Sequence, residues 1–364
     1  MKQERNTKVL KIGGFSHVLI GGNNPIAVQT MWKDALSPSD LDKAAGKIES
    51  LKALGCDILR FAVPDIQSAG LLGQLTEMVK MPLVADIHFD HKIALRCMDF
   101  PIAKIRINPG NMENRDFIRI VLEKAASKGI PIRIGVNAGS LPKDLQARVE
   151  AGMDTAAALV EAAEREISIF EEFGFTDYLV SMKASTIADT ISANRILYSR
   201  TDAPIHLGVT EAGPLAAGVV RNTAALLLLL TEGIGDTIRV SLSDTMENEI
   251  IAGREIITAA AAVCENKRLT RRGVNIISCP RCGRAGFDTH GFTNRWMFKL
   301  YALDKNITVA IMGCEVNGPI EAKNADLGIT GVGDKVLIFK HGKVIRTINA
   351  DIADHVFEEE LNKL

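Results

Sequence analysis

The amino-acid sequence predicts an α/β protein in which a (β/α)8 TIM barrel is followed by a smaller α+β domain. Three observations support this prediction. Between residues 25 and 265, short β-rich runs alternate with longer amphipathic stretches, and such alternation indicates a parallel sheet with helical crossovers. The alternation repeats eight times over ~240 residues, which is the size of a closed barrel. After residue 265 the pattern changes, and two cysteine-bearing turns follow.

Each predicted strand is followed by a helical stretch, the last of which spans residues 247–265. The first helix should begin at Ser37 with Pro38 in its first turn, because serine caps helices and proline fits their first position. An open doubly wound sheet is the competing topology, but no G-x-G-x-x-G segment follows the first strand. The eight strands are predicted at residues 25–31, 57–63, 82–87, 104–108, 132–137, 177–183, 205–211 and 236–241.

The chain divides into two predicted domains, residues 1–265 and 266–364, which are joined by a basic segment at 267–273. The second domain has mixed helix and strand patterns, and His341-Gly342 is typical of a hairpin turn. Its predicted elements are a helix near 294–303, a strand at 308–312, a hairpin of 335–340 with 343–348, and a short C-terminal helix.

The composition excludes several classes of protein. The chain has 364 residues, 47% hydrophobic and 24% charged, which is ample material for a globular core. A net charge of −1 and an aromatic content of 5% argue against a nucleic-acid-binding protein. The longest apolar run, residues 224–230, is far shorter than the ~20 residues of a membrane span, and the charged N-terminal segment does not resemble a signal peptide. We therefore expect a cytoplasmic protein that binds neither nucleic acid nor membranes.

The last residues of the predicted strands are rich in polar side chains, and the chemistry of a barrel takes place at this end. Five of them are cations from five different strands, and such a cluster needs an anion to neutralise it. Arginine favours bidentate contacts with phosphate oxygens, so the set predicts a diphosphate or two phosphate groups. Glu211 is a carboxylate in this ring and a candidate for proton transfer. The candidate site residues are Arg60, Asp86, His88, Arg106, Asn108, Arg133, Asn137, Lys183, Glu211, Arg239 and Ser241.

Three cysteines of the second domain form a set of metal-ligand type. Cys279 and Cys282 have C-x-x-C spacing, which also fits half of a zinc site, but no second C-x-x-C follows. With Cys314 they suit an iron–sulfur cluster with one unusual corner, for which Glu321 is the candidate. The spacing favours the cluster and leaves zinc open. The other three cysteines are predicted to be inert buried thiols: Cys56, Cys97 and Cys264.

The cysteine turns at residues 278–284 and 312–319, followed by 321–322 and 325–328, closely resemble those of bacterial 4-hydroxy-3-methylbut-2-enyl diphosphate synthases. The resemblance extends over essentially the whole chain, and the order of the motifs is highly specific. The barrel segments that share it are residues 11–14, 28–31, 85–88, 106–110, 134–141 and 207–213.

This resemblance implies reductive ring opening of 2-C-methyl-D-erythritol 2,4-cyclodiphosphate to 4-hydroxy-3-methylbut-2-enyl diphosphate in the non-mevalonate isoprenoid pathway. It implies a [4Fe-4S] cluster and two electrons from flavodoxin or ferredoxin, with Glu211 as the catalytic carboxylate. The implied cluster ligands are Cys279, Cys282, Cys314 and Glu321. The implied diphosphate ligands are Arg60, Arg106, Arg133 and Lys183, with help from Ser241.

Two positions depart from the family pattern. Ile320 stands where the family usually has glycine, and we expect strain there if the backbone is left-handed. Trp32 follows Thr30-Met31 where the family usually has a threonine, and we expect it to reshape the floor or rim of the barrel mouth.

The topology also predicts an assembly. The eighth helix of a barrel returns to the face opposite the active site, so the cysteine domain starts roughly 30 Å from the mouth, the length of a 20-residue helix. A two-fold head-to-tail homodimer, in which each cluster domain caps the partner's barrel, would bring a cluster to each mouth. Two other functions stay open: a non-redox barrel enzyme acting on a phosphorylated substrate with a structural zinc site, and a non-catalytic assembly or RNA-binding protein.

Overall fold

The computed structural model describes residues 7–13, 16–87, 90–107, 115–269, 273–280 and 282–364. The chain forms two compact units, residues 1–271 and 272–364. The first unit is the predicted (β/α)8 barrel, and the second is the predicted α+β domain. His88 and Asn108, two of the candidate site residues, lie outside the described residues.

A short antiparallel hairpin precedes the barrel, with strands β1 (Leu10–Ile12) and β2 (Val18–Ile20). Its buried Ile12 and Ile20 belong to the same apolar cluster as Ile58 and Leu179 near the amino ends of barrel strands. The hairpin therefore closes the bottom of the barrel. This hairpin is not predicted from the sequence, because strands of three residues are too short to show a clear alternation.

The eight barrel strands are all parallel, and each lies beside its sequence neighbours, with β10 beside β3. A bridge between Val180 and Ile205 joins β8 to β9 and closes the ring. The last two strands are much shorter than predicted. The strands are β3 (Ala27–Met31), β4 (Ile58–Ala62), β5 (Leu83–Asp86), β6 (Lys104–Ile107), β7 (Ile132–Asn137), β8 (Tyr178–Lys183), β9 (His206–Leu207) and β10 (Thr237–Ile238).

Helices return the chain from the top of each strand to the bottom of the next, and several begin at an aspartate or threonine that accepts a backbone N–H. Ser37 does not cap the first helix as predicted. Its hydroxyl bonds the Asp40 carboxylate at 2.6 Å, and residues 38–40 form a 3-10 turn before the helix. The helices are α1 (Leu41–Ala53), α2 (Ile66–Met78), α3 (His91–Cys97), α4 (Arg115–Lys128), α5 (Lys143–Glu150), α6 (Thr155–Glu172), α7 (Ile187–Tyr198), α8 (Leu215–Thr231) and α9 (Met246–Val263).

The second unit contains a five-stranded sheet whose first three strands are parallel and whose last two form an antiparallel hairpin. Two helices pack on it around the buried rings of Phe292, Trp296 and Phe357. The elements are β11 (Asn275–Ser278), α10 (Thr289–Tyr301), β12 (Thr308–Met312), β13 (Leu327–Val332), β14 (Lys335–Lys340), β15 (Lys343–Asn349) and α11 (Ala353–Asn362).

Two of the three cysteines predicted to be inert are buried as expected. Burial raises the pKa values of the Cys56 and Cys97 thiols to about 12. Cys264 is partly exposed at the end of α9, so its predicted burial was wrong. Within the described ranges, none of the helices is long and apolar enough to span a membrane.

Candidate active site

Four barrel strands place buried cations at the mouth of the barrel. Strand pairing puts Arg106 beside Asp86 on one side and beside Arg133 on the other. Because these side chains come from paired positions of a closed sheet, the backbone ladder fixes their spacing. The four buried cations are Arg60 on β4, Arg106 on β6, Arg133 on β7 and Lys183 on β8.

Asp86 lies between two of these cations. Arg106 Nη1 donates to Asp86 Oδ1 at 3.2 Å, and Arg60 Nε lies 3.6 Å from Asp86 Oδ2. Burial lowers the pKa of Arg60 to about 10; Asp86 opposes this shift, while Arg239 and Arg106 add to it. The carboxylate therefore orients a pair of guanidinium groups and neutralises part of their charge.

Arg133 and Lys183 form no salt bridge within the described part of the chain. Arg133, only 2% exposed, donates from Nη1 to Ser181 Oγ at 2.7 Å, but its Nε and Nη2 have no hydrogen-bond partner among the described residues. A Cβ on Gly208 would lie 2.8 Å from Lys183 Nζ, so the neighbouring strand end has to be glycine for the ammonium to occupy this place. Burial, and then the nearby cations, lowers the pKa values of both groups.

Among the described residues, the mouth therefore has more buried cations than buried anions. Arg239, at the end of β10, adds a fifth cation, while Asp86 and Glu249 are the carboxylates that pair with the set. Unpaired N–H donors in a water-poor pocket are costly unless a ligand satisfies them. Such a pocket suits an anion with several oxygen acceptors, as the sequence predicted.

Below these cations lies a buried polar layer, part of which the sequence analysis missed. Lys104 Nζ lies 3.4 Å from Gln29 Oε1, and His206 Nδ1 lies 2.6 Å from Thr237 Oγ1. Burial, followed by nearby cations, lowers the pKa values of Lys104 and His206. The inward orientation of Lys104 could have been predicted, because it lies two residues before Arg106 on the same strand and so points to the same face.

The ends of β7, β9 and β10 carry the other candidates. Asn137, the last residue of β7, is half-buried and pairs with Lys183 in the ladder. Glu211 is exposed beyond β9 and has a left-handed backbone with φ of +51°. Ser241 is half-buried beyond β10, and its carbonyl accepts from Asn222 at 3.5 Å. These three lie at the same end of the barrel as the cations, as predicted.

Trp32 does not line the mouth. Its indole stacks on Phe61 with ring centroids 5.3 Å apart. Phe61 follows Arg60 on β4, so it points to the opposite face of the strand, towards the helices. The prediction that Trp32 reshapes the floor or rim was wrong, because the ring packs on the outer face of the strand that carries Arg60.

In the second unit, two candidate cysteines follow adjacent parallel strands. Cys279 comes directly after β11 and Cys314 two residues after β12, so both lie at the same edge of the sheet. Gly313 N donates to Cys279 Sγ at 3.0 Å, and a Cβ on Gly313 would lie 3.3 Å from that sulfur. Hydrogen bonds from the Arg284 backbone and side chain lower the pKa of the exposed Cys282 thiol. Cys279 and Cys282 therefore accept hydrogen bonds, whereas the Cys314 thiol donates to Asn317 Oδ1 at 3.4 Å.

Glu321 ends a single π-helical turn, Val316–Glu321, that begins two residues after Cys314. Cys314 is 8% exposed and Glu321 is exposed, so the turn carries one ligand candidate at each end. Ile320 is 68% exposed, and it is not among the described residues with positive φ, so the expected strain is absent. Ile320 therefore fits the π-helical turn that ends at Glu321 without a left-handed backbone.

The donor set fits an iron–sulfur cluster. Within the described ranges, no three His, Cys, Asp or Glu side chains are close enough to hold one metal ion. Three soft thiols, one of them accepting a backbone N–H, are the ligands that such a cluster prefers.

Two family models match most of the chain. The model of the GcpE TIM-barrel domain matches residues 7–254, and that of the GcpE protein C-terminal domain matches residues 275–363. Among solved structures, the chain is similar to dihydropteroate synthase from Xanthomonas albilineans at 15% identity, with a TM-score of 0.46 over 66% of this chain and 94% of that one.

Curated relatives cover nearly the whole chain. The enzyme named 4-hydroxy-3-methylbut-2-en-1-yl diphosphate synthase (flavodoxin) from Treponema pallidum is 49% identical over 98% of this chain and 91% of its own length. The enzyme of that name from Treponema denticola is 48% identical over 98% of both chains. The one from Thermodesulfovibrio yellowstonii is 42% identical over 100% of both. The chain therefore belongs to the GcpE family of 4-hydroxy-3-methylbut-2-en-1-yl diphosphate synthases, as its motifs predicted.

Proposed function

We propose that the protein catalyses the reductive ring opening of 2-C-methyl-D-erythritol 2,4-cyclodiphosphate to 4-hydroxy-3-methylbut-2-enyl diphosphate. The reaction consumes two electrons and two protons and releases water. The observation that carries this proposal is the cluster of buried cations at the barrel mouth, in a member of this enzyme family. A substrate with two phosphate groups supplies the acceptors that the cluster lacks.

The diphosphate is held by four cations from four strands. Arg133 offers the N–H groups of Nε and Nη2, and Lys183 offers an ammonium; neither has a carboxylate partner in the described residues. Asp86 fixes the guanidinium planes of Arg60 and Arg106, so little side-chain entropy is lost when the substrate binds. Ser241, Asn137 and Arg239, with His88 and Asn108, complete the proposed substrate ligands.

Glu211 is the proposed catalytic carboxylate. Its left-handed backbone turns the loop after β9 away from the strand direction, and its side chain is exposed at the mouth end. A carboxylate beside a cationic pocket can hold a proton at its oxygen and deliver it to the opening ring.

The second unit would hold the redox group. We propose that Cys279, Cys282, Cys314 and Glu321 would hold a [4Fe-4S] cluster, which when bound would pass electrons from an external donor to the substrate. Glu321, as a harder oxygen ligand, leaves one corner of the cluster easier to exchange than the three thiolate corners. The relatives are named as flavodoxin-dependent enzymes, so we propose flavodoxin as the electron donor, with ferredoxin as the alternative.

We propose a head-to-tail homodimer as the working assembly. After α9, Arg268 donates from Nε to Asn24 O at 3.2 Å and from Nη2 to Asp236 Oδ1 at 2.5 Å. Both partners lie just before barrel strands, so the chain is held at the bottom of the barrel when it leaves it. A cluster domain from the partner subunit can then cap the mouth and exclude water during the reaction. We place this enzyme in the cytoplasm.

Iron and sulfide analysis of protein purified without exposure to air tests this proposal. We expect about four irons and four sulfides per chain, the stoichiometry of the cluster, together with a brown colour. Glu321→Ala should leave a cluster that is unstable or inactive, while Cys264→Ser, at a cysteine outside the proposed set, should keep it. Colourless protein with stoichiometric zinc after anaerobic reconstitution, or unchanged turnover of Glu321→Ala, would overturn the respective assignment.

A further inference from the structure

Glu249, in the first turn of α9, is a buried carboxylate that no motif singled out. It is 1% exposed and is bound from two segments of the barrel, residues 30–33 and 239–242. Its Oε2 accepts from Thr30 Oγ1 at 2.5 Å, and its Oε1 accepts from Leu242 N at 3.0 Å. The same Oε1 lies 3.1 Å from Lys33 Nζ and 3.4 Å from Arg239 Nη2.

Glu249 and Lys33 hold the backbone beyond the point where the hydrogen-bond ladder of β10 ends. Strand β10 has only two residues, so the segment that carries Arg239 and Ser241 runs beyond it. Glu249 holds that segment by the Leu242 amide, and Lys33 donates to the Leu242 and Asp244 carbonyls. Arg239 is held through Nη2, while its Nε has no hydrogen-bond partner in the described residues. The carboxylate therefore fixes both the backbone and the cation of this loop.

We propose that Glu249 is a positioning residue that orients Arg239 and the loop at residues 239–245 towards the diphosphate. This inference rests on the proposed function, since it assumes that the barrel mouth binds a diphosphate. Glu249 acts through Arg239 and does not touch the substrate, because its own carboxylate is covered by the four donors.

Whether anion binding becomes stronger or weaker when Glu249 loses its charge distinguishes a positioning role from a purely electrostatic one. Removing a negative charge near an anion site should strengthen anion binding if Glu249 acts only through its field. If Glu249 orients Arg239, the same change should weaken binding, because the guanidinium is released from its fixed geometry.

The variant Glu249→Gln tests this proposal. Glutamine removes the charge, keeps the shape of the glutamate side chain and can still accept a hydrogen bond from the Leu242 amide. We expect inorganic pyrophosphate to bind about tenfold more weakly, by calorimetry, and substrate KM to rise by a similar factor with kcat changed less than about threefold. The matched control is Glu247→Gln on the same helix, whose carboxylate pairs with Lys47 outside the mouth. It should bind pyrophosphate as the unaltered protein does.

A double-mutant cycle with Arg239→Gln completes the test. If Glu249 acts through Arg239, the double variant should bind pyrophosphate within about threefold of Arg239→Gln alone. Thr30→Val, which removes one donor and keeps the charge, should cause a smaller loss in the same direction and replaces Glu249→Gln if that variant does not fold.

Additive losses, tighter binding by Glu249→Gln, or binding equal to that of Glu247→Gln would overturn the positioning role. If Arg239→Gln itself binds pyrophosphate normally, the diphosphate assignment of Arg239 fails, which is a different result. The two failures are thus distinguishable.

Discussion

The barrel mouth and the cysteine-bearing edge of the second sheet are both built at the carboxyl ends of parallel strands, yet they differ in burial. At the mouth, Arg133 and Lys183 are buried on the strands themselves. In the second unit, Cys282 and Glu321 are exposed and lie on turns beyond the strands. The proposed substrate site is therefore preformed by buried side chains, whereas two of the four proposed cluster ligands, Cys282 and Glu321, are accessible.

This difference has an energetic consequence. Holding several cations together in a buried pocket destabilises the substrate-free barrel, because each loses hydration and repels the others. The thiols of the second unit carry no such cost, and their geometry is set by single contacts such as Gly313 N to Cys279 Sγ. Substitutions at the mouth should therefore raise stability as they lower binding, and substitutions in the cysteine turns should not.

The largest expected effect follows from removing one of the buried cations. Lys183→Met should weaken pyrophosphate binding about tenfold to a hundredfold, because a charged hydrogen bond to phosphate is lost. The same change should raise the free energy of unfolding by about 1 kcal/mol, because a desolvated ammonium is replaced by an apolar side chain of similar length. Calorimetry and denaturant unfolding measure the two effects.

Lys128→Met, at an exposed lysine at the end of α4, is the matched control. It should change neither quantity by more than about 0.5 kcal/mol. A Lys183→Met protein that is less stable than the unaltered one would show that the mouth is not a strained cluster of cations, and the contrast with the cysteine turns would be lost.

A smaller effect is expected on the pH dependence of binding. Burial and Arg133 lower the pKa of Lys183, and a bound diphosphate opposes this by favouring the charged ammonium. Between the two pKa values binding takes up a proton, so affinity should fall by up to about tenfold per pH unit as pH rises. Calorimetry in two buffers of different ionisation enthalpy gives the number of protons taken up when pyrophosphate binds. The same measurement on Lys183→Met gives the contribution from pyrophosphate itself, which is then subtracted.

The free energy of unfolding should change with pH in the opposite direction to the binding affinity. Between its lowered pKa and the usual value of 10.5, Lys183 is less protonated in the folded barrel than in the unfolded chain. The free energy of unfolding of the ligand-free protein should therefore rise with pH across this window. Equal proton uptake by the unaltered protein and Lys183→Met would contradict the binding expectation. A free energy of unfolding whose pH dependence in this window is the same in both proteins would contradict the stability expectation.

The fold was largely predictable because the eight strands are separated by long amphipathic helices. The alternation located β3 to β8 to within a few residues. It overestimated β9 and β10, because residues 208–211 and 239–241 continue the extended pattern beyond the end of the regular ladder. There, bonds to neighbouring strands such as Arg239 N to Leu207 O alternate with bonds to the Asn222 side chain of α8. The β1–β2 hairpin, whose strands have three residues each, left no periodic signal.

The candidate site was predictable where the side chain ends a strand, as for Arg60 and Lys183. Glu249 was not, because a glutamate in the first turn of a helix is ordinarily a solvated residue that favours the helix dipole. Its burial depends on Thr30 and Lys33, more than 200 positions earlier in the chain. Sequence spacing along one helix does not contain that contact.

The smallest expected effect concerns the cysteine turns. Ile320 is exposed and has no left-handed backbone, so Ile320→Gly should change iron content and turnover by less than about twofold and cost at most about 1 kcal/mol of stability. Gly342 offers the contrast, since its φ is +74° and an added Cβ would lie 3.0 Å from Pro319 O in the same turn. Gly342→Ala should therefore lower iron content and stability more than Ile320→Gly does. If Ile320→Gly instead raised iron retention more than twofold, the isoleucine would be straining the turn that carries Glu321, and the cysteine edge would share the strain that we assign to the mouth alone.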